Sequence, residues 1–210
     1  MKMRTRSRRR GYTAVEVMLS IIVLGVGAAG VMSMQKASIQ GNADAHMLDV
    51  GTSIARTWVE RLRRDGMTWT LGAGQQNWST NTFLISQIGS TANAGRWIWP
   101  AIPTSGSNSG QADPGYSRAF DILGRDMPLS GGTAATVFCT NIRGDWITQD
   151  EVIRAEVRIY WLRQLFAAPT GSFCSGTGET PDAIGAGGGA QTYHFVYAAT
   201  SIQRNPALHQ

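Results

Sequence analysis

In the stretch "RRRGYTAVEVMLSIIVLGVGAAGVMSM" one carboxylate, Glu16, stands at the mouth of an uncharged apolar run, Val17 to Met34. A carboxylate at the edge of lipid or in a packed apolar core is costly unless it is paired or hydrated. Two chemistries are open to it. Its side chain can lie at headgroup level and reach water, which requires nothing else of the chain. Alternatively it neutralises a positive charge. If the chain is cut after Gly11, the new amine of Tyr12 lies within about one helical turn of Glu16, and the pair can neutralise one another within a subunit or between neighbours. Other reactive groups are sparse. Cys139 and Cys174 are the only cysteines, and two sulfurs need two further ligands to hold a metal. His46, His194 and His209 show no motif spacing with them, so neither a metal nor a cofactor is expected. No serine, histidine and acid constellation is visible, and Asp121, Asp126 and Asp145 read as solvated loop aspartates, so an enzyme is not expected. The "GAGGGAQ" stretch lacks a following Lys-Ser or Lys-Thr and reads as a loop rather than a phosphate cradle.

The elements that must carry these groups follow from charge and hydropathy. With 210 residues the chain can form one domain with a real core plus an appended segment. Its formal charge of +5 is concentrated in Lys2, Arg4, Arg6, Arg8, Arg9 and Arg10; residues 12 to 210 hold thirteen basic and fourteen acidic side chains. No basic tract remains to follow a phosphate backbone, so nucleic acid is not expected as the main ligand. The basic leader reads either as a solvated tail or as a cytoplasmic anchor. As a helix, Val17 to Met34 would span about 27 Å, close to the thickness of bilayer hydrocarbon. The positive-inside rule then leaves the leader in the cytoplasm and everything beyond residue 35 outside. A secretory signal peptide cut at "VGAAG" is the competitor, and the helical patterning that continues through that point argues against it.

Taken in order, the basic leader, Gly11, an aromatic Tyr12, Glu16 and an unbroken apolar run resemble a type IV prepilin leader. The resemblance implies cleavage after Gly11 by prepilin peptidase, a methylated Tyr12 as the mature N-terminus, and Glu16 as the carboxylate that drives assembly by pairing with a neighbour's N-terminal amine. Phenylalanine is the usual first mature residue, so Tyr12 is a mild departure, as are Ala14 and Val15. The continuation through Gly27, Gly30, Met34, Gln35 and the run from Trp58 to Arg64 is similar to the minor pilins called type IV pilus modification proteins, or PilV-like proteins. The likeness fades after residue 70. It implies an α+β, pilin-like fold: a long N-terminal transmembrane and amphipathic helix packed on an antiparallel β-sheet head.

The expected organisation is a leader over 1–11, a hydrophobic transmembrane or filament-core helix over 12–35, and an amphipathic half of the stalk over 36–65. A loop-rich part of the head, 66–132, and an antiparallel sheet, 133–210, follow. Met47, Gly51, Ile54, Ala55, Trp58, Val59 and Leu62 recur at three-and-four spacing and predict one stripe against the head. Gly25, Gly27 and Gly30 suit close helix contact, local melting or mere tolerance in a membrane. Gly41 with Asn42 is expected to loosen the stalk, and Gly66 reads as a helix stop. "NTFLISQI" and "RWIWPAI" suit strands or short helices. Trp69, Trp78, Trp97 and Trp99 suit a small core or subunit contact, with an aromatic binding platform as the rival. In "EVIRAEVRIYWLRQL" strict alternation puts Ile153, Ala155, Val157, Ile159 and Trp161 on a dry face, and Arg154, Glu156, Arg158 and Tyr160 on a wet one. "TAATVFCTNI" and "QTYHFVYAAT" supply neighbouring strands. Outside the cytoplasm Cys139 and Cys174 are expected to form a disulfide similar in role to the C-terminal disulfide of many pilins; two free buried thiols are the alternative.

Function follows as an expectation: a minor type IV pilin that joins the pilus or its tip or priming complex and supports assembly, adhesion or twitching. Its partners would be prepilin peptidase, the major pilin, other minor pilins and the inner-membrane assembly platform, with the bilayer as host before assembly. It would sit in the bacterial inner membrane with a periplasmic head, then at the cell surface. A pseudopilin of a type II secretion system and a tip-located binding module are the alternatives.

Overall fold

A computed structural model of the chain describes residues 12–70, 82–101, 117–127, 136–163, 174, 180–184 and 192–205. The first element, α1 (Ala14–Met67), is continuous through Gly41 and Asn42, where a looser stalk was expected. The chain divides into two compact units, Met1–His46 and Met47–Gln210, and α1 contributes to both.

In the first unit no side chain of the helix from Ala14 to His46 is buried. Val17 is 48% exposed and Leu24 74%, and nothing lies within 4 Å of a Cβ placed on Gly25, Gly27, Gly30 or Gly41. An apolar helix that covers none of its surface within its own chain requires a lipid or protein environment to do so. It is long and apolar enough to cross a membrane once.

The second unit is a helix on a sheet. After α1 come α2 (Leu84–Ile88), β1 (Ala119–Phe120), β2 (Asp126–Met127), β3 (Phe138–Thr148), β4 (Val152–Leu162), α3 (Pro181–Ile184) and β5 (Tyr193–Gln203). The strands form one antiparallel sheet in the order β2-β1-β3-β4-β5. The buried positions of α1 are Met47, Gly51, Ile54, Ala55, Trp58, Val59, Leu62 and Gly66. They pack on the inner sheet face, where Ile153, Ala155, Val157, Ile159 and Trp161 alternate along β4. Arg56, Glu60, Arg63 and Arg64 stay exposed. This α+β arrangement, a long N-terminal helix laid on an antiparallel sheet, is the pilin-like architecture.

Two local features depart from expectation, at Gly66 and on the outer face of β4, and a third, in "NTFLISQI" and "RWIWPAI", falls within it. Gly66 lies inside α1, which ends one residue later, and it is required for close approach: a Cβ there would sit 2.3 Å from Ile202 Cγ2 on β5. "NTFLISQI" contributes the short helix α2, and "RWIWPAI" a single antiparallel bridge between Ile98 and Ile142. The N-terminus of α2 has no cap of its own. Asp65 supplies it from the end of α1, its carboxylate accepting the Phe83 and Ile85 N–H groups at 2.7 Å each. Burial pushes the Asp65 carboxyl above the ordinary aspartate value, although the N–H groups of Ile85, Phe83 and Leu84 pull the other way.

The other departure is the outer face of β4. Arg154 is exposed, but Glu156, Arg158 and Tyr160 are buried, the last two at 1% exposure. The segment around Trp97 and Trp99, together with Pro181 and Ile184 of α3, covers this face. A second apolar cluster forms there around Ala119, Cys139, Tyr160, Cys174, Ile184 and Tyr193. Cys139 and Cys174 are joined by a disulfide with a Cα–Cα distance of 5.4 Å.

Candidate assembly site and head surfaces

Thr13 starts the apolar helix. Its hydroxyl accepts the Glu16 N–H at 3.3 Å, while its carbonyl accepts the Glu16 and Val17 N–H groups. Thr13 is therefore the N-cap and Glu16 the third helical residue. The cap is legible as Thr-x-x-Glu ahead of an apolar run, a signal that a reading of Glu16 from charge alone passes over. It has a consequence for Tyr12. The residue is 82% exposed and directly precedes a fixed helix start, so its nitrogen is held one residue from the cap and about one turn from Glu16.

Glu16 itself is exposed, and among the described residues its carboxylate accepts no hydrogen bond and joins no ion pair. Its backbone carbonyl accepts the Ser20 hydroxyl at 2.7 Å. A carboxylate in the first turn of a helix is favoured by the helix dipole. Gly11 lies outside the described residues.

Two clefts in the head are lined by described residues. One, of about 570 Å3, lies between α1 and the β1–β2 connection and is lined by Asp49, Ser53, Thr57, Arg61, Leu123 and Asp126, among others. Asp121 and Asp126 are not loosely solvated, contrary to expectation. Asp126 pairs with Arg61 at 3.0 Å. Asp121 is buried and closes the turn, accepting the Leu123 N–H at 2.9 Å, the Arg125 N–H at 2.8 Å and Arg125 Nε at 2.8 Å. Burial alone would raise its carboxyl. The Arg125 and Leu123 N–H groups, with the guanidinium of Arg125, outweigh it and hold the group below the usual aspartate range. Asp145 has an ion-pair partner in Arg143 at 3.9 Å.

The second cleft, of about 480 Å3, is lined by Asn93, Arg96, Trp97, Trp99 and Asp182, among others. Asp182 accepts the Trp97 N–H at 3.0 Å and pairs with Arg96 Nε at 3.4 Å. Behind Trp97 lie the guanidinium carbons of Arg158, at 4.5 Å from the ring centre, and Arg143, at 4.8 Å. Arg143 donates to Glu156, which also pairs with Arg154 at 2.6 Å. Among the described residues Arg158 joins no ion pair within 4 Å; its Nη2 donates to Asn141 Oδ1 at 2.7 Å and to the Pro181 carbonyl. Burial lowers its affinity for the proton, opposed chiefly by Tyr197. Of the four expected tryptophans, Trp69 is a core residue packed edge-on to Trp146, Trp97 and Trp99 line this cleft, and Trp78 lies outside the described residues. Among the described residues no group of histidine, cysteine or acidic side chains is arranged to hold a metal ion.

No protein-family model matches the chain, and no curated protein or solved structure is similar enough to it to register as a match.

Proposed function

We propose that the chain is a minor subunit of a type IV pilus. Prepilin peptidase cuts after Gly11, Tyr12 becomes the methylated N-terminus, and the processed chain waits in the inner membrane with its head in the periplasm. The major pilin, other minor pilins and the assembly platform then take it into the filament or its tip complex. The observation that carries this reading is the Glu16 carboxylate, without a partner among the described residues and one turn from the Tyr12 nitrogen, at the start of a helix in which no side chain from Ala14 to His46 is buried. Inside a filament core an unpaired charge is penalised, so a subunit gains stability only in the register that brings amine and carboxylate together. The head acts as a scaffold and contact surface rather than a catalyst. Gly11→Ala tests the first step: it should leave the full-length chain, starting at Met1, in the membrane and out of sheared filaments. Normal filament content of the uncut variant would contradict the reading.

A second activity, binding at the tip, is favoured by the cleft at Trp97 and Trp99, where Asn93, Arg96 and Asp182 place polar groups beside aromatic rings. A panel of immobilised glycans probed with the full chain, and again with Trp97→Ala, tests it; equal binding by both would rule this cleft out.

A further inference from the structure

The cleft beside Trp97 and Trp99, of about 480 Å3, lies within the size range of sites that take small ligands. What such a site selects depends on the polar groups it has left over, and most of those here are spent on the chain itself. Gln87 uses both ends of its amide: Oε1 accepts the Ala101 N–H at 2.7 Å, and Nε2 donates to the Phe83 carbonyl at 3.1 Å. Asp182 uses both oxygens, Oδ1 on the Trp97 N–H at 3.0 Å and Oδ2 on Arg96 Nε at 3.4 Å. Asn93 Nδ2 donates to the Gln87 carbonyl at 2.9 Å, and Thr180 Oγ1 accepts the Ala183 N–H at 3.4 Å.

Among these side chains the groups left over are Arg96 Nη1 and Nη2 and the Thr180 O–H as donors, against Asn93 Oδ1 as an acceptor. The Arg96 side chain is 67% exposed, so its two outer nitrogens are open to a ligand. They lie in one plane and match the two oxygens of a carboxylate. Trp97 is half-buried and lines the same cleft, which leaves part of its ring for the apolar face of a ligand that is otherwise polar.

The charge around the rings points the same way. The guanidinium carbons of Arg158 and Arg143 lie 4.5 and 4.8 Å from the Trp97 ring centre, and that of Arg118 lies 5.1 Å from the Trp99 ring centre. A cation entering the cleft would meet rings whose attraction for positive charge is already taken up, and the repulsion of the groups that took it. Arg96 pairs with Asp182, Arg143 with Asp145 and Glu156, and Arg154 with Glu156. Arg158 joins no ion pair among the described residues, so these four guanidinium groups exceed the three carboxylates by one. At 1% exposure the charge of Arg158 is only weakly screened by water and salt.

We propose that this cleft takes an acidic saccharide, with a sugar ring laid on Trp97, its hydroxyls on Asn93 Oδ1 and Thr180, and its carboxylate on the outer nitrogens of Arg96. The inference rests on the reading of the cleft as a binding site given above and names the class of ligand it selects.

Calorimetric titration of the full chain in detergent tests it, using acidic oligosaccharides matched with neutral counterparts: trigalacturonate with trigalactose, and sialyllactose with lactose. In at least one pair the acid should bind about tenfold more tightly than its counterpart, as a charge-assisted contact to one guanidinium would give. The ratio should fall toward one as salt is added. Arg96→Gln should bring it to within about twofold, with a urea midpoint matching wild type because Arg96 is exposed. Arg56→Gln removes the same charge from an exposed position on α1 and should leave the ratio in place. Neutral members bound as tightly as the acids, or a ratio that survives Arg96→Gln, would overturn the inference and leave the cleft a glycan site. Equal loss of the ratio in Arg56→Gln, or a hexa-aspartate peptide bound as tightly as the acidic sugars, would show attraction by charge alone and overturn it as well. Binding of no member of either pair would overturn the inference together with the binding reading on which it rests.

Discussion

Gly66→Ala should destabilise the head, against the ordinary effect of that substitution in a helix. In an exposed helix interior, replacing glycine by alanine is favourable by about 1 kcal/mol. At residue 66 the added Cβ would stand 2.3 Å from Ile202 Cγ2 and 3.7 Å from its Cβ. Carbon atoms pack at about 3.5 to 4.0 Å, so more than an ångström must be found. Ile202 is 5% exposed, pairs with Ile153 and, being β-branched, has little rotamer freedom with which to withdraw its methyl. Helix and strand must part locally, at a cost of about 1 to 3 kcal/mol for overpacking; setting the propensity gain against it leaves about 1 kcal/mol of net loss. The assay is urea unfolding of the full chain in detergent, followed by tryptophan fluorescence through the buried Trp58 and Trp69. A double-mutant cycle isolates the cause. In an Ile202→Ala background the methyl is gone, and Gly66→Ala should become favourable by about 1 kcal/mol. Stabilisation by Gly66→Ala while Ile202 is present would refute the argument that this glycine is there for close approach.

Replacing Cys139 and Cys174 together by serine removes a cross-link across 35 positions and should cost about 4 kcal/mol on a loop-entropy estimate, read as a lower urea midpoint that reductant no longer changes. Arg158→Ala leaves Asn141 Oδ1 and the Pro181 carbonyl without their donor in a buried site, and should cost about 3 kcal/mol in the same assay. Asp121 has a folded pKa below its unfolded value, so its stabilisation is fully present above the unfolded value of about 3.9 and is lost as pH falls through the lower folded value. Asp121→Asn should therefore flatten the decline of the urea midpoint below about pH 4.

The helix and the ladder were legible because each has one dominant period. The stripe from Met47 to Leu62 and the alternation from Ile153 to Trp161 reflect burial against a single partner layer, and a binary pattern encodes that. The other face of β4 was misread for a physical reason. Arginine, glutamate and tyrosine signal solvent by type, yet Arg158 is buried under Trp97 with its Nη2 bonded to Asn141 and the Pro181 carbonyl, and those partners are remote in sequence. Asp121 likewise looks like an ordinary loop aspartate until Leu123 and Arg125 fold over it. Gly66 carries a stop signal by type, while its reason lies on β5 at Ile202, which no local window contains. At the candidate assembly site Glu16 was visible from its contrast with the apolar run, but the Thr13 cap that orients the helix start required the Thr-x-x-Glu pattern to be read as well.

The pairing of a new Tyr12 amine with Glu16 is tested most directly by the amount of Glu16→Gln subunit in sheared filaments, relative to wild type at equal membrane level. Glutamine keeps the shape and removes the charge, leaving the amine unpaired in an apolar core at a cost of about 3 kcal/mol, or roughly a hundredfold in occupancy. The expected result is normal trimming at Gly11 with a large loss from filaments. Glu16→Gln found there at the wild-type amount would contradict the account.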